Sequence, residues 1–285
     1  MLTFYSDSQW QTFFIPNFLL KLMENSEVRF GPAGLGQVKD AIKNLEEYHR
    51  LGFRACEIAF TYGAYIKNKD DAEKIGKKAK ELGIRLSIHA HYWINLNSEE
   101  PEKIEQSKER ILECLKVGTW LGAEVVVFHP GFYGKMSREE TYQNIEKQMK
   151  ELETERKKNN FTTKLAPETT GKINVFGSVD EILSLVKETG CSFCIDFAHI
   201  LAREKKYLFE KVFKKFSDYS DFHIHFSGIN YGEKGEKNHI KTPENGLKEL
   251  IENLPKNAKV TIINESPEMI EDSAEALKIY QNHRR

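Results

Sequence analysis

Cys194-Ile195-Asp196-Phe197-Ala198-His199 is a short apolar run that ends in a carboxylate, with an imidazole three residues later. An apolar run of this length predicts a buried strand, so its charged last residue falls at the strand's C-terminal end. Four other runs close in the same way: Ile88-His89-Ala90-His91, Val127-Phe128-His129-Pro130, Ala166-Pro167-Glu168 and Ile263-Asn264-Glu265. Potential metal ligands at successive strand ends are what a barrel gathers around one mouth.

Working outward, Val/Ile/Phe-rich runs alternate with longer amphipathic stretches. The pattern predicts strands over 28–30, 54–60, 84–90, 123–129, 163–168, 191–196, 221–226 and 259–265. Between and after them it predicts helices over 37–51, 69–82, 103–121, 138–158, 178–189, 204–216, 247–253 and 273–281. Gly31-Pro-Ala-Gly34 reads as a tight turn, and helices stop at Gly52, Gly83, Gly122 and Gly190, where a left-handed C-cap carries no Cβ penalty. Eight βα units make a (β/α)8, or TIM, barrel. The expected organisation is an N-terminal extension over 1–27 and one barrel domain over 28–285.

Composition agrees with that class. The chain has 285 residues, 40% apolar and 30% charged, with a net charge of −1. There is no global basic field, so a polyanionic partner must be held by a local patch or by bound cations. Apolar residues between Phe13 and Leu22 are too short a run to span a bilayer. They read as a helix packed across the barrel or in a subunit contact. With no signal peptide or spanning run in view, a cytoplasmic protein with no membrane role and no obligate protein partner is expected. Cys191-Ser-Phe-Cys194 has no second pair at zinc-site spacing and reads as core packing.

In barrel order, the third strand ends at His89 with His91 just past it, the fourth at His129 and the fifth at Glu168. The sixth ends at Asp196, with His199 on the following loop. The seventh carries His223 and His225, and its loop carries Glu236 and His239. The eighth ends at Glu265. Apart from His49 and His283, every histidine of the chain falls in this set. Period-2 alternation puts His223 and His225 on one face, with His225 nearer the mouth and His223 a layer deeper. Imidazole and carboxylate donors without thiolate suit zinc, manganese or iron. Nine candidates, namely His89, His129, Glu168, Asp196, His199, His225, Glu236, His239 and Glu265, are too many for one ion and imply two or three. Paired ions about 3.5–4 Å apart are the arrangement used in phosphodiester hydrolysis.

At these residues the chain resembles the endonuclease IV family of abasic-site endonucleases, within the xylose-isomerase-like barrels. The matching stretches are His89-Ala-His-Tyr-Trp-Ile-Asn-Leu96, Phe128-His-Pro-Gly131, Pro167-Glu-Thr169, Cys194-Ile-Asp-Phe-Ala-His199, His225-Phe-Ser-Gly228 and Asn264-Glu-Ser266. The resemblance implies three zinc ions. The first would be held by His89, His129 and a bridging Glu168, and the second by Glu168, Asp196, His225 and Glu265. The third would be held by His199 with Glu236 and His239. Here the chain departs: the family shows an Asp-x-His pair where Glu236 and His239 stand three apart. It further implies duplex DNA carrying an abasic lesion as partner. Tyr92 and Trp93 occupy the loop that the family wedges into DNA. The other such loop, Thr61-Tyr-Gly-Ala-Tyr65, lacks the family's basic residue. Lys234, Lys237 and Lys241 are candidate phosphate contacts. The expected activity is incision 5′ to abasic sites, with Glu168 bridging and Glu265 orienting the nucleophile. The alternatives are a single-metal sugar isomerase or epimerase of the same superfamily, and a non-catalytic metal- or nucleic-acid-binding relative.

Overall fold

A computed structural model describes residues 28–284. The extension expected over 1–27, with its apolar helix, lies outside the described residues. The strands are β1 (Val28–Pro32), β2 (Ala55–Ala59), β3 (Arg85–His89), β4 (Val125–Phe128), β5 (Lys164–Pro167), β6 (Cys194–Asp196), β7 (Asp221–His225), β8 (Gly228–Gly232), β9 (Gly235–Ile240) and β10 (Lys259–Asn264). Two parallel four-stranded arcs, β2-β3-β4-β5 and β1-β10-β7-β6, make the wall. Backbone bonds close both seams: Arg54 N–H donates to Phe30 O at 3.1 Å, and Thr169 N–H donates to Cys194 O at 3.1 Å. At the first seam Gly31 lies so close to the Ala55 carbonyl that any Cβ would overlap it. Gly31 and Pro32 therefore extend β1 rather than forming the expected turn.

Helices α1 (Ala41–Arg50), α2 (Lys69–Glu81), α3 (Pro101–Leu121), α4 (Arg138–Lys158), α5 (Val179–Thr189), α6 (Phe197–Glu204), α7 (Phe209–Lys215), α8 (Glu244–Asn253) and α9 (Met269–His283) follow the strands. Ser137 with Glu140, and Ser178 with Glu181, form capping boxes at α4 and α5, satisfying N–H groups that have no intrahelical partner. α3 and α5 stop at Gly122 and Gly190, both left-handed (φ 65° and 71°), as expected from the sequence. No helix among the described residues is long and apolar enough to cross a membrane.

Three further local expectations fail. His199 is not on a loop. The side chain of Asp196 accepts the His199 N–H and caps α6 directly, so helix begins at Phe197. The helix expected over 204–216 is accordingly confined to α7 (Phe209–Lys215), since α6 ends where Lys205 turns left-handed. The segment after β7 is not an open loop but an antiparallel hairpin of β8 and β9.

Alternation along the strands sorts the wall into two environments. Phe30, Ile58, Ile88, Phe128, Phe222 and Ile224 point outward into the main core beneath the helices. Each such side chain contributes about 1.5–3 kcal/mol by leaving water. The inward positions are largely polar and stacked in layers. At the N-terminal end Arg85 bonds both oxygens of Asp221 (2.9 and 2.7 Å). Glu57, Ser87 and His223 fill the middle, beside a small apolar patch of Val125, Val127, Ala166 and Cys194. Cys191 lies in the outer core and Cys194 in this inner patch, and both are free thiols. The C-terminal end holds the imidazoles and carboxylates.

Candidate metal centre

Glu168, just past β5, is fully buried at the middle of the mouth. Its Oε2 is 3.0 Å from His129 Nε2 and 3.3 Å from His89 Nε2. Its Oε1 is 3.1 Å from His225 Nδ1 and 3.4 Å from His199 Nδ1. One carboxylate therefore faces imidazoles carried by β3, β7, α6 and the end of β4. On the far side of His225 Nδ1 stands Glu265 Oε2, at 3.2 Å. Asp196 lies at the floor, its Oδ1 capping α6 and its Oδ2 3.3 Å from His199 Nδ1.

Three of the imidazoles are oriented from behind. His89 Nδ1 donates to Ala90 O at 2.9 Å and His199 Nδ1 to Thr169 O at 3.0 Å. His239 Nδ1 is 2.6 Å from Ser227 Oγ. A ring nitrogen held by the protein leaves the other nitrogen to present a lone pair, the arrangement usual for metal-ligating histidine. His129 Nε2 and Asp196 Oδ2 are buried and have no hydrogen bond, although their neighbours are ionisable. Buried polar atoms are rarely left so without a reason, and a cation held by the donor group around each would supply one.

Donor atoms within 4.8 Å of one another fall into three groups at this mouth: His89, His129 and Glu168; Glu168, Asp196, His225 and Glu265; and Asp196, His199 and His239. The structure thus brings together the nine residues singled out in the sequence, with one change of grouping. The third group takes Asp196 in place of Glu236. Glu236 still approaches His199, with Oε2 3.4 Å from Nε2, across the bare Cα of Gly171. A deeper group, Cys194, His223 and His225, shares His225 with the mouth. His91 stays apart, buried with its Nδ1 3.8 Å from Cys114 Sγ.

The electrostatics are those of a cluster held together by charge. Burial opposes ionisation of Glu168, yet His129 and His225 hold it well below the usual carboxylate range. Glu265 is lowered to about 2, against burial, chiefly by His225. Burial also opposes charge on His89, but Glu168 raises it to about 9. Asp196 goes the other way: burial, with the charges of Glu168 and Glu265 and against that of His199, raises it to about 8. Protons on the imidazoles balance the carboxylates, the role a cation would take over.

A cleft of about 560 Å³ opens above the cluster, lined among others by His89, Tyr92, Phe132, Lys172, Glu236 and Lys237. Tyr92 and Trp93 stand on its rim and are both 57% exposed. Between them projects Tyr62, 80% exposed, edge-on to both rings at 6.0 Å. Of the expected phosphate contacts, Lys237 lines the cleft, Lys234 sits in the turn of the hairpin and Lys241 is paired with Glu268. Sequence reasoning missed Tyr62, Lys172 and Glu57. Glu57 had a signal, a lone carboxylate inside the apolar run Ala55-Cys-Glu-Ile-Ala59.

The fold and the mouth define a (β/α)8 barrel with a candidate multi-cation centre at the C-terminal ends of its strands. The chain belongs to the xylose isomerase-like TIM barrel family, whose sequence profile matches residues 45–282. It is 37% identical over 88% of its length to the uncharacterized protein MJ0133 of Methanocaldococcus jannaschii, covering 96% of that protein. It is 26% identical to a probable endonuclease 4 of Aquifex aeolicus over 66% of this chain and 67% of that one. Endonuclease IV from Thermus thermophilus superposes with a TM-score of 0.66 at 20% identity, covering 89% of this chain and 98% of that one. D-psicose 3-epimerase from Clostridium cellulolyticum superposes with a TM-score of 0.62 at 15% identity, covering 85% and 93%. At such identities the two structural matches establish the fold alone.

Proposed function

We propose that the protein is a metal-dependent phosphodiester hydrolase that incises duplex DNA 5′ to abasic sites and leaves a 3′-hydroxyl. The observation that carries this reading is Glu168, one buried carboxylate whose Oε2 faces the two imidazoles of one ligand group, His89 and His129, and whose Oε1 faces imidazoles of the other two, His225 and His199. A bridging carboxylate between adjacent ligand groups is suited to a pair of ions acting on both sides of a phosphate. Divalent cations held there, zinc foremost and manganese or iron as substitutes, would supply Lewis acidity at phosphorus and activate water for attack. The protein's own part is to hold and orient. Glu265 lies at the edge of the cluster, facing the cleft, where it can orient the nucleophile. Lys172 and Lys237 line the cleft, where they can meet the flanking phosphates. Tyr62, Tyr92 and Trp93 form an aromatic rim on which bases beside a missing one can stack.

The second reading is a sugar isomerase or epimerase using one cation. It is favoured by the compact four-donor group Glu168, Asp196, His225 and Glu265, which would serve a single ion unaided. On that reading His199, Glu236 and His239 have no cation to hold. The deciding experiment incubates the zinc- or manganese-loaded protein with a duplex carrying one abasic analogue, alongside ketohexoses, with metal counted per chain. Incision next to the analogue and two or three ions per chain support the nuclease. Epimerised sugar, one ion and intact DNA at saturating protein would exclude it.

A further inference from the structure

Glu57 lies a layer below the mouth, fully buried on β2, and belongs to none of the ligand groups there. Its two oxygens serve different imidazoles. Oε2 is 2.9 Å from His223 Nε2 and accepts the Ser87 hydroxyl at 2.7 Å. Oε1 is 2.9 Å from His225 Nε2, and both of these atoms are buried with no hydrogen bond. The opposite nitrogen of that ring, Nδ1, faces Glu168 and Glu265.

A neutral imidazole carries one proton, and the partner of one nitrogen decides the state of the other. A carboxylate can only accept. Carboxylates flank both nitrogens of His225, so a cation decides: once Glu168 and Glu265 share one at the mouth, the proton belongs on Nε2 facing Glu57 and the Nδ1 lone pair faces the cation. Of the other imidazoles at the mouth, His89 is backed by a backbone carbonyl and His239 by a hydroxyl, while His199 meets the Thr169 carbonyl at the same nitrogen that faces Asp196 and Glu168. His225 is backed by a charge, which also makes its free nitrogen a stronger donor. The thiol of Cys194 lies near the same ring, in the deeper group, but as a weak donor and weak acceptor it does not select a tautomer.

We propose that Glu57 is a positioning residue, which fixes His225 in the Nε2–H tautomer so that Nδ1 is presented to a divalent cation at the mouth. This rests on the metal-centre reading and is independent of which substrate is cleaved. The test uses the full chain, zinc and cobalt as probes, and histidine-labelled protein for tautomer assignment by nitrogen NMR. In the zinc-loaded wild type the ring is expected to carry its proton on Nε2; a proton on Nδ1 overturns the proposal without any variant. Glu57→Gln leaves one oxygen for two imidazoles. It is expected to mix the tautomers and weaken the ion shared by Asp196, His225 and Glu265 by about 10–100-fold. Ser87→Ala and His223→Phe remove the other partners of the same carboxylate, and are expected to keep both tautomer and affinity. Equal loss in all three variants would make Glu57 a purely structural residue and overturn the proposal, as would unchanged affinity in Glu57→Gln. A wild-type chain that takes up no zinc would refute the metal-centre reading instead, and that arm is read first.

Discussion

Asp196 and His199 touch twice: the aspartate's Oδ1 accepts the His199 backbone N–H at 2.7 Å, while its Oδ2 lies 3.3 Å from the ring's Nδ1. One carboxylate thus starts a helix and also stands among the donors. The two roles separate by substitution. Asp196→Asn keeps an oxygen for the cap, whereas Asp196→Ala loses cap and donor together. The alanine variant is expected to be less stable than the asparagine variant by about 1 kcal/mol in the metal-free state, the usual worth of an N-cap. Both are expected to lose metal. Denaturant unfolding with metal analysis checks this, and equal stability of the two would deny the cap its role.

Glu168 has no substitute. Glu168→Gln keeps the shape but removes the charge that sits among His89, His129, His199 and His225. Breaking a buried charge cluster by neutralising one member costs about 3–5 kcal/mol where the rest stays charged. With imidazoles free to lose protons, stability should suffer less than activity. The expected outcome is a folded protein with incision reduced by at least about 10³-fold, since the bridge between ions is gone. Near-normal incision by this variant would refute the bridging role.

Protons and cations compete for the same atoms, so pH sets both loading and stability. His89 is raised from 6.5 to about 9. The stability its proton contributes is fully present below the ordinary value and is lost as pH rises through 9. Asp196 is raised from 3.8 to about 8, so its buried neutral form favours folding at low pH and that contribution is lost by pH 8. Both signs agree: the metal-free protein should become less stable between pH 6 and 9, while affinity for zinc rises as the competing protons leave. Thermal unfolding with and without zinc checks this. The stabilisation by zinc should be larger at pH 8.5 than at pH 6, and calorimetry in two buffers should show proton release on binding. A zinc effect that shrinks with pH would contradict the assignment of these groups as donors.

Much of this site was legible in the sequence because strand ends are marked twice, by the end of an apolar run and by the charge that follows it. His129, Glu168 and Glu265 needed no more than that. The helix stops at Gly122 and Gly190 were legible for a similarly local reason. What escaped depends on contacts between distant segments. The hairpin of β8 and β9 has no apolar alternation, since its strands are mostly exposed and their pairing satisfies backbone rather than burying side chains. Regrouping of Asp196 with His199 and His239 followed from α6 starting at once after β6, which a loop reading of His199 concealed. Glu57 was visible as an oddity in its strand, but only closure of the barrel brings it to His225.

The rim offers a test of substrate that leaves the cluster intact. Tyr62 stands edge-on to Tyr92 and Trp93, each at 6.0 Å, and is 80% exposed. An aromatic group left this exposed beside the mouth has a ready use as a stacking surface, each base stacked being worth about 1–3 kcal/mol. Tyr62→Ala and Trp93→Ala are expected to weaken binding of abasic duplex by about 5–150-fold each, with zinc content unchanged. Lys172→Ala and Lys237→Ala should act differently. Each removes the cation facing one phosphate, so the salt dependence of DNA binding should flatten by about one unit of log K against log salt for each phosphate left unneutralised. Binding titrations across a salt series separate the two effects. If the aromatic variants change the salt slope and the lysine variants leave it untouched, the rim and cleft do not hold nucleic acid in this way. If neither changes DNA binding while both change ketose turnover, the mouth belongs to a sugar.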